Sequence, residues 1–140
     1  MPRIMAIDPG ERRTGVALSD ERGVIAFPHS VLPVRGYRAL AAQLAALARE
    51  KDVQTVLVGF PVREDGYEGA GCRRSRRLLG MLREAGIDAM LWEEGYTSVR
   101  ARQAIAEQGV RRRKARSVRD AVAASLILRD YLDQRNHEHS

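Results

Sequence analysis

Short apolar runs closed by turn residues open the chain, and their spacing predicts strands. Residues 3–8 (Arg-Ile-Met-Ala-Ile-Asp) form the first run, which closes on Asp8 and the turn Asp8-Pro9-Gly10. Gly15-Val16-Ala17-Leu18-Ser19 gives a second strand, and Asp20-Glu21-Arg22-Gly23 a tight turn. A third strand begins at Val24, is interrupted at Pro28 and ends near Pro33. The period then changes. Over 37–51, Leu40, Leu44 and Leu47 recur with alanines between them, the pattern of an amphipathic helix. Residues 53–60 are almost continuously apolar, as in a strand buried on both faces. A polar, glycine-rich loop over 61–71 leads to a helix over 73–85, stopped by Gly86, and a fifth strand over 87–92. Thr97 or Ser98 caps a helix that runs to Gln108 and stops at Gly109. The last helix runs from Ser117 to about Gln134, and a polar tail follows. The order β-β-β-α-β-α-β-α-α predicts an α/β chain: a mixed five-stranded sheet, its first three strands antiparallel, flanked by helices.

Composition narrows the function classes. The 140 residues make one domain, large enough for a core without staples. No run approaches the ~18 apolar residues of a membrane span, and the first residues do not read as a signal peptide. The single cysteine, Cys72, excludes an internal disulfide and a cysteine-built zinc site, and reads as an ordinary loop thiol in a reducing cytoplasm. A formal net charge of +6 favours a polyanionic partner. Lys51 and Lys114 are the only lysines, and arginine suits bidentate phosphate contacts. An arginine-favouring genome would explain that choice, but not the clustering of Arg73, Arg74, Arg76 and Arg77, or of Arg111, Arg112, Arg113, Lys114, Arg116 and Arg119. These runs point to nucleic acid; the competing account is two solvated charge runs.

Three acidic positions carry the candidate chemistry. Asp8 ends an apolar strand, where a carboxylate can present its oxygens at the sheet edge to a hard divalent cation. A plain Asp-Pro-Gly turn would look the same. Glu93-Glu94 ends the fifth strand; side chains alternate, so only one of the pair can join a site. Asp120 falls on the helical stripe of Ala123, Ala124, Ile127 and Tyr131, where an unpaired carboxylate is costly unless it meets a partner or a metal. The competing role is a first-turn acid favoured by the helix dipole, behind a cap at Ser117. Three acids from three elements in a basic chain suggest a divalent-metal site acting on a polyanion.

Four segments together resemble the Holliday-junction resolvase-like YqgF (RuvX) family of the RNase H-like superfamily. Asp8-x-Gly10-x-x-Arg13-x-Gly15-Val16-Ala17, followed by Ser19-Asp20, resembles its opening signature. Val58-Gly59-Phe60-Pro61 with Asp65-Gly66 and Glu68-Gly69 resembles its second block, and Trp92-Glu93-Glu94-Gly95-Tyr96-Thr97-Ser98 stands where the family has Asp-Glu-Arg-Leu-Thr-Ser or Thr. The run from Asp120-Ala121-Val122-Ala123-Ala124 to Leu132 resembles its closing helix. Glu93 replaces the usual Asp and Gly95 the usual Arg, and Ala123 stands where RuvC resolvases carry a fourth acid.

The resemblance implies an RNase H-like nuclease domain over 1–135, with 136–140 as tail. Its site gathers Asp8, Glu94 (from a strand taken as fourth in the sheet order) and Asp120 around Mg2+ or Mn2+, and water activated there hydrolyses a phosphodiester. Arg13 is the candidate grip on the phosphate, with Thr14 as a secondary contact. Arg73, Arg74, Arg76, Arg77, Arg111, Arg112, Arg113, Lys114 and Arg116 hold the nucleic-acid backbone. Implied substrates are precursor ribosomal RNA and single-stranded or branched DNA, in the cytoplasm, away from membranes; a homodimer is left open. His29, His137 and His139 fall in no motif. Two alternatives from other classes stand beside this. One is a catalytically silent nucleic-acid or ribosome-associated module. The other is an ATP-handling relative of the superfold, which would need a second domain.

Overall fold

The computed structural model describes residues 3–62, 65–93 and 112–138, the side chains of 112–120, 137 and 138 apart. Five strands, β1 (Arg3–Asp8), β2 (Arg13–Ser19), β3 (Ala26–Pro33), β4 (Val53–Phe60) and β5 (Ala89–Glu93), form one sheet in the order β3-β2-β1-β4-β5. β1 pairs antiparallel with β2, and β2 with β3; β4 runs parallel to both β1 and β5. The helices are α1 (Tyr37–Glu50), α2 (Ala70–Glu84) and α3 (Arg112–Glu138). The mixed α/β sheet with an antiparallel start is the architecture the apolar pattern predicts.

Strand alternation divides the core in two. Met5, Ile7, Val16, Leu18, Val56 and Val58 face α1 and α2, where Leu40, Leu44, Leu78 and Leu82 cover them. Ile4, Ala6, Ala17 and Leu57 face the other way, under Ala124, Ile127, Leu128 and Leu132 of α3. Ile127, Leu128 and Leu132 are fully buried, each worth roughly 2 kcal/mol. Ala6, Ala17 and Ala124 are buried in the same cluster and put only methyl groups into it.

Several boundaries differ from the sequence expectation. β3 continues through Pro28, because it is an edge strand whose missing N–H costs no ladder bond; the register shifts opposite Val16 and Ala17. α2 starts at Ala70, which takes Cys72 out of the expected loop and buries it in a helix. α3 starts at Arg112, so the basic run 112–116 is helical, and it continues to Glu138 into the expected tail. β5 is fifth in the sheet order, at the edge, rather than fourth. The helix expected over 97–108 lies outside the described residues. Among those described, no helix is long and apolar enough to cross a membrane.

The alanine seam can be tested directly. Ala124→Leu should destabilise the fold by about 1–3 kcal/mol, because the added carbons must push α3 off Ala6 and Ala17. Substituting alanine for the exposed Arg129 should change stability by less than ~0.5 kcal/mol. Urea unfolding of the two variants measures the contrast.

Candidate active site

Asp8 is the last residue of β1 and half-buried, on the face that carries Ile4 and Ala6 and therefore α3. Its partner across β2 is Gly15. On the other side, Ile7 pairs with Val58, so one step further Asp8 stands beside Gly59. Gly15 in turn pairs with Val31, and Gly59 with Trp92. The row across the sheet is thus Val31, Gly15, Asp8, Gly59, Trp92, and both immediate neighbours of the carboxylate lack side chains. The turn after Asp8 depends on Gly10, where a Cβ would overlap the Arg13 carbonyl oxygen.

α3 approaches this row with its N-terminal end. Arg135, near its other end, reaches the β2–β3 turn, where a Cβ at Gly23 would lie 3.9 Å from its guanidinium. Asp120 is fifteen residues earlier, about 22 Å along the helix axis. Gly15 is eight residues before Gly23, at most ~26 Å of extended chain. The N-terminal half of the helix therefore runs along β2 toward the end of the sheet that carries the Asp8 row, and position 120 is one turn before Ala124 on its buried stripe. The side chain of Asp120 is not among those described.

Other expected site residues fall in different places. Glu94 lies outside the described residues. Glu93 is exposed, and alternation puts it with Ala89 and Leu91 on the α1–α2 face, away from Asp8. Arg13 opens β2, half-buried and in phase with Gly15, hence on the face of Asp8. Thr14 is out of phase. It is fully buried on the α1–α2 side, and its hydroxyl has no partner among the described residues. An oxygen so placed is closed off from a phosphate at the Asp8 row, which removes the expected secondary contact.

The basic clusters flank one edge of the sheet from opposite faces. Arg73, Arg74, Arg76 and Arg77 occupy the first turns of α2, which begins near the end of β4. Arg76 lies 4.8 Å over the Phe60 ring, with Nε and Nη2 donating to Glu68 at 3.1 and 2.9 Å. Arg77 lies 5.0 Å over Tyr37, and the Nε of Arg74 is buried without a described partner. Arg112, Arg113, Lys114 and Arg116 begin α3 on the other face; Arg111 is outside the described residues.

Two features escaped the sequence reading. Trp92 stacks edge-on against Tyr131, centroids 5.2 Å apart at 87°, and its Nε1 donates to Asp130 at 3.1 Å, tying β5 to α3. Ser75 is fully buried on α2, on the stripe of Leu78 and Leu82; that phase was its one visible signal.

No three His, Cys, Asp or Glu residues gather around a cation position among the described residues. The one described candidate donor at the row, Asp8, is a carboxylate. Hard oxygen ligands beside two bare glycine positions suit Mg2+ or Mn2+, and a softer metal has no sulfur or imidazole there.

Comparison with known proteins identifies the family and the fold. A family model described as "RuvX: Holliday junction resolvase" matches residues 2–134. The chain is 39% identical over 137 residues to a Syntrophus aciditrophicus protein named "Putative pre-16S rRNA nuclease", covering 97% of this chain and 91% of the relative. It is 37% identical over 135 residues to a Chloroflexus aggregans protein of the same name, covering 96% and 95%. Among solved structures, T. thermophilus RuvC in complex with Holliday junction substrate superposes with a TM-score of 0.54 at 16% identity, over 97% of this chain and 96% of that one. Fowlpox virus resolvase with Holliday junction DNA gives 0.53 at 11%, over 95% and 98%. The structural matches show an RNase H-like fold, and the sequence matches over nearly the whole length show that the chain belongs to the RuvX, Holliday junction resolvase, family.

Proposed function

We propose that this nuclease of the RuvX family hydrolyses phosphodiester bonds at the Asp8 row with Mg2+ or Mn2+ held by Asp8, Glu94 and Asp120. The observation that carries the reading is the glycine-flanked Asp8 at the edge toward which α3 brings position 120. Glu94 is preferred to its neighbour because the parity of β5 sends Glu93 to the far face. When bound, the metal supplies an activated water and stabilises charge on the leaving oxygen. The protein's own part is electrostatic and geometric. Three carboxylates fix the metal's ligand oxygens, and Arg13, on the same face, draws the scissile phosphate to the row.

The arginine clusters at the start of α2 and of α3 lie on opposite faces, so a nucleic acid touching both passes over the sheet edge and across Asp8. Contacts of this kind grip phosphate and read little sequence. The names of the relatives favour precursor small-subunit ribosomal RNA as a substrate, and the family description favours branched DNA. Either would be met in the cytoplasm.

Asp8→Asn, Glu94→Gln and Asp120→Asn should each lower manganese-dependent cleavage by about a hundredfold or more while the protein stays folded, because each removes one ligand charge. Glu93→Gln should cleave normally. Cleavage of precursor ribosomal RNA and of four-way DNA junctions, with and without manganese, reads all four; loss in Glu93→Gln alone would move the ligand to that residue.

Replacing Arg111, Arg112 and Arg113 together by alanine should weaken binding to all sequences by similar factors. It should also flatten the slope of log K against log salt by roughly 2. Filter binding across a salt series checks this, and a loss confined to one sequence would contradict backbone contact.

Asp120→Asn should raise the melting temperature of the metal-free protein, by about 2–4 °C for each kcal/mol of carboxylate repulsion relieved. It should also shrink the stabilisation gained on adding manganese. A helix-dipole role has the opposite sign: lower stability without metal and an unchanged manganese shift. Thermal denaturation with and without manganese separates the two.

A further inference from the structure

Beside the acid row, one strand end is held by a hydroxyl from the other face. Ser75 on α2 is fully buried, and its Oγ lies 2.5 Å from the Gly59 carbonyl oxygen and 3.1 Å from that of Gly71. A hydroxyl has one proton to donate. The Gly71 carbonyl is the i−4 acceptor that the helix itself uses, so the nearer Gly59 oxygen takes the proton. Three residues earlier, the Cys72 thiol reaches the Pro61 carbonyl at 3.5 Å. α2 therefore fastens the end of β4 at two carbonyls, on either side of Phe60.

That strand end spans the acid-bearing elements. Gly59 stands next to Asp8 on one side and pairs with Trp92 on the other, and Phe60 pairs with Glu93. Gly59 is also the residue type with the greatest backbone freedom, and it has no side chain to pack. Nothing in packing calls for an oxygen at position 75, whose stripe neighbours Cys72, Leu78 and Leu82 are buried and weakly polar or apolar. Burying a hydroxyl costs free energy unless it is bonded, so its value here lies in the Gly59 contact.

We infer that Ser75 is a positioning residue of the metal site: through the Gly59 carbonyl it fixes the spacing between Asp8 and the end of β5. This rests on the metal-site reading above. Without the hydroxyl, β4 still pairs with both neighbours, but its last residues are free to shift, and Asp8 and the end of β5 lose their fixed spacing.

The test compares the full-length protein with Ser75→Ala, Ser75→Thr and Ser75→Val, measuring Mn2+ binding by calorimetry and by thermal shift without nucleic acid. Cleavage against Mn2+ concentration is then measured well below each melting temperature. Thr and Val impose the same extra bulk and differ only in the hydroxyl. Ala and Val should bind Mn2+ roughly tenfold more weakly and need correspondingly more of it for cleavage, while Thr restores wild-type behaviour. Wild-type Mn2+ affinity in folded Ala, or equal affinity in Thr and Val, would overturn the inference and leave Ser75 a stabilising residue only. Should the branched variants fail to fold, the Ala comparison decides alone. A wild-type protein that takes up no Mn2+ would instead sink the metal reading itself.

Discussion

The separation between α3 and the sheet is the constraint on which the site depends. Ala6, Ala17 and Ala124 contribute only methyl groups to the cluster beneath that helix, and Ile127, Leu128 and Leu132 are buried in it. An acid at position 120 can serve the same cation as Asp8 only if the helix sits this close. Larger side chains in the seam would keep a buried core and lose the juxtaposition. Asp8's neighbours in the row are glycines, which add no side chains beside the carboxylate.

Topology then sets the electrostatic surroundings. α1 follows the end of β3, α2 follows the end of β4, and α3 points its N-terminal end the same way, so all three helices begin on the side of the sheet where Asp8 ends β1. None carries an acid in its first turn, and α1 and α2 have glycine at the N-cap with no side-chain cap bond. The positive dipole ends thus add to the arginines at that edge. On the proposed reading, a polyanion would meet a positive rim with Asp8 inside it. Such an arrangement would hold phosphates on either side of the proposed acids and leave the acids to a cation.

Much of the fold could be read from the chain because apolar periodicity is a direct record of burial. β1 and β4 have the bounds that their apolar runs define, and α1 differs by one residue at its end. The misreadings have physical causes. Gly69, Gly71 and the polar residues before them looked like loop, yet Gly69 only caps α2. Consecutive arginines looked like a solvated loop, although arginine is a good helix former, and α3 absorbs them. At the site, Asp8 stood out because a strand-final acid is conspicuous, whereas Thr14 was misplaced because adjacency in sequence says nothing about which face a strand residue serves. The helical phase of Ser75 hinted at burial but not at its role: its partner is a main-chain carbonyl sixteen residues away, and no side-chain pattern encodes that.

Trp92 is the chain's one tryptophan, and it sits at the joint between β5 and α3. Its ring meets Tyr131 at right angles, and its indole N–H is taken by Asp130, both on the helix that carries the last acid. The intrinsic ultraviolet emission of this protein is therefore an unlabelled optical gauge of that joint. A change in quenching or wavelength reports the strand edge parting from the helix, before any global unfolding and without a substrate present.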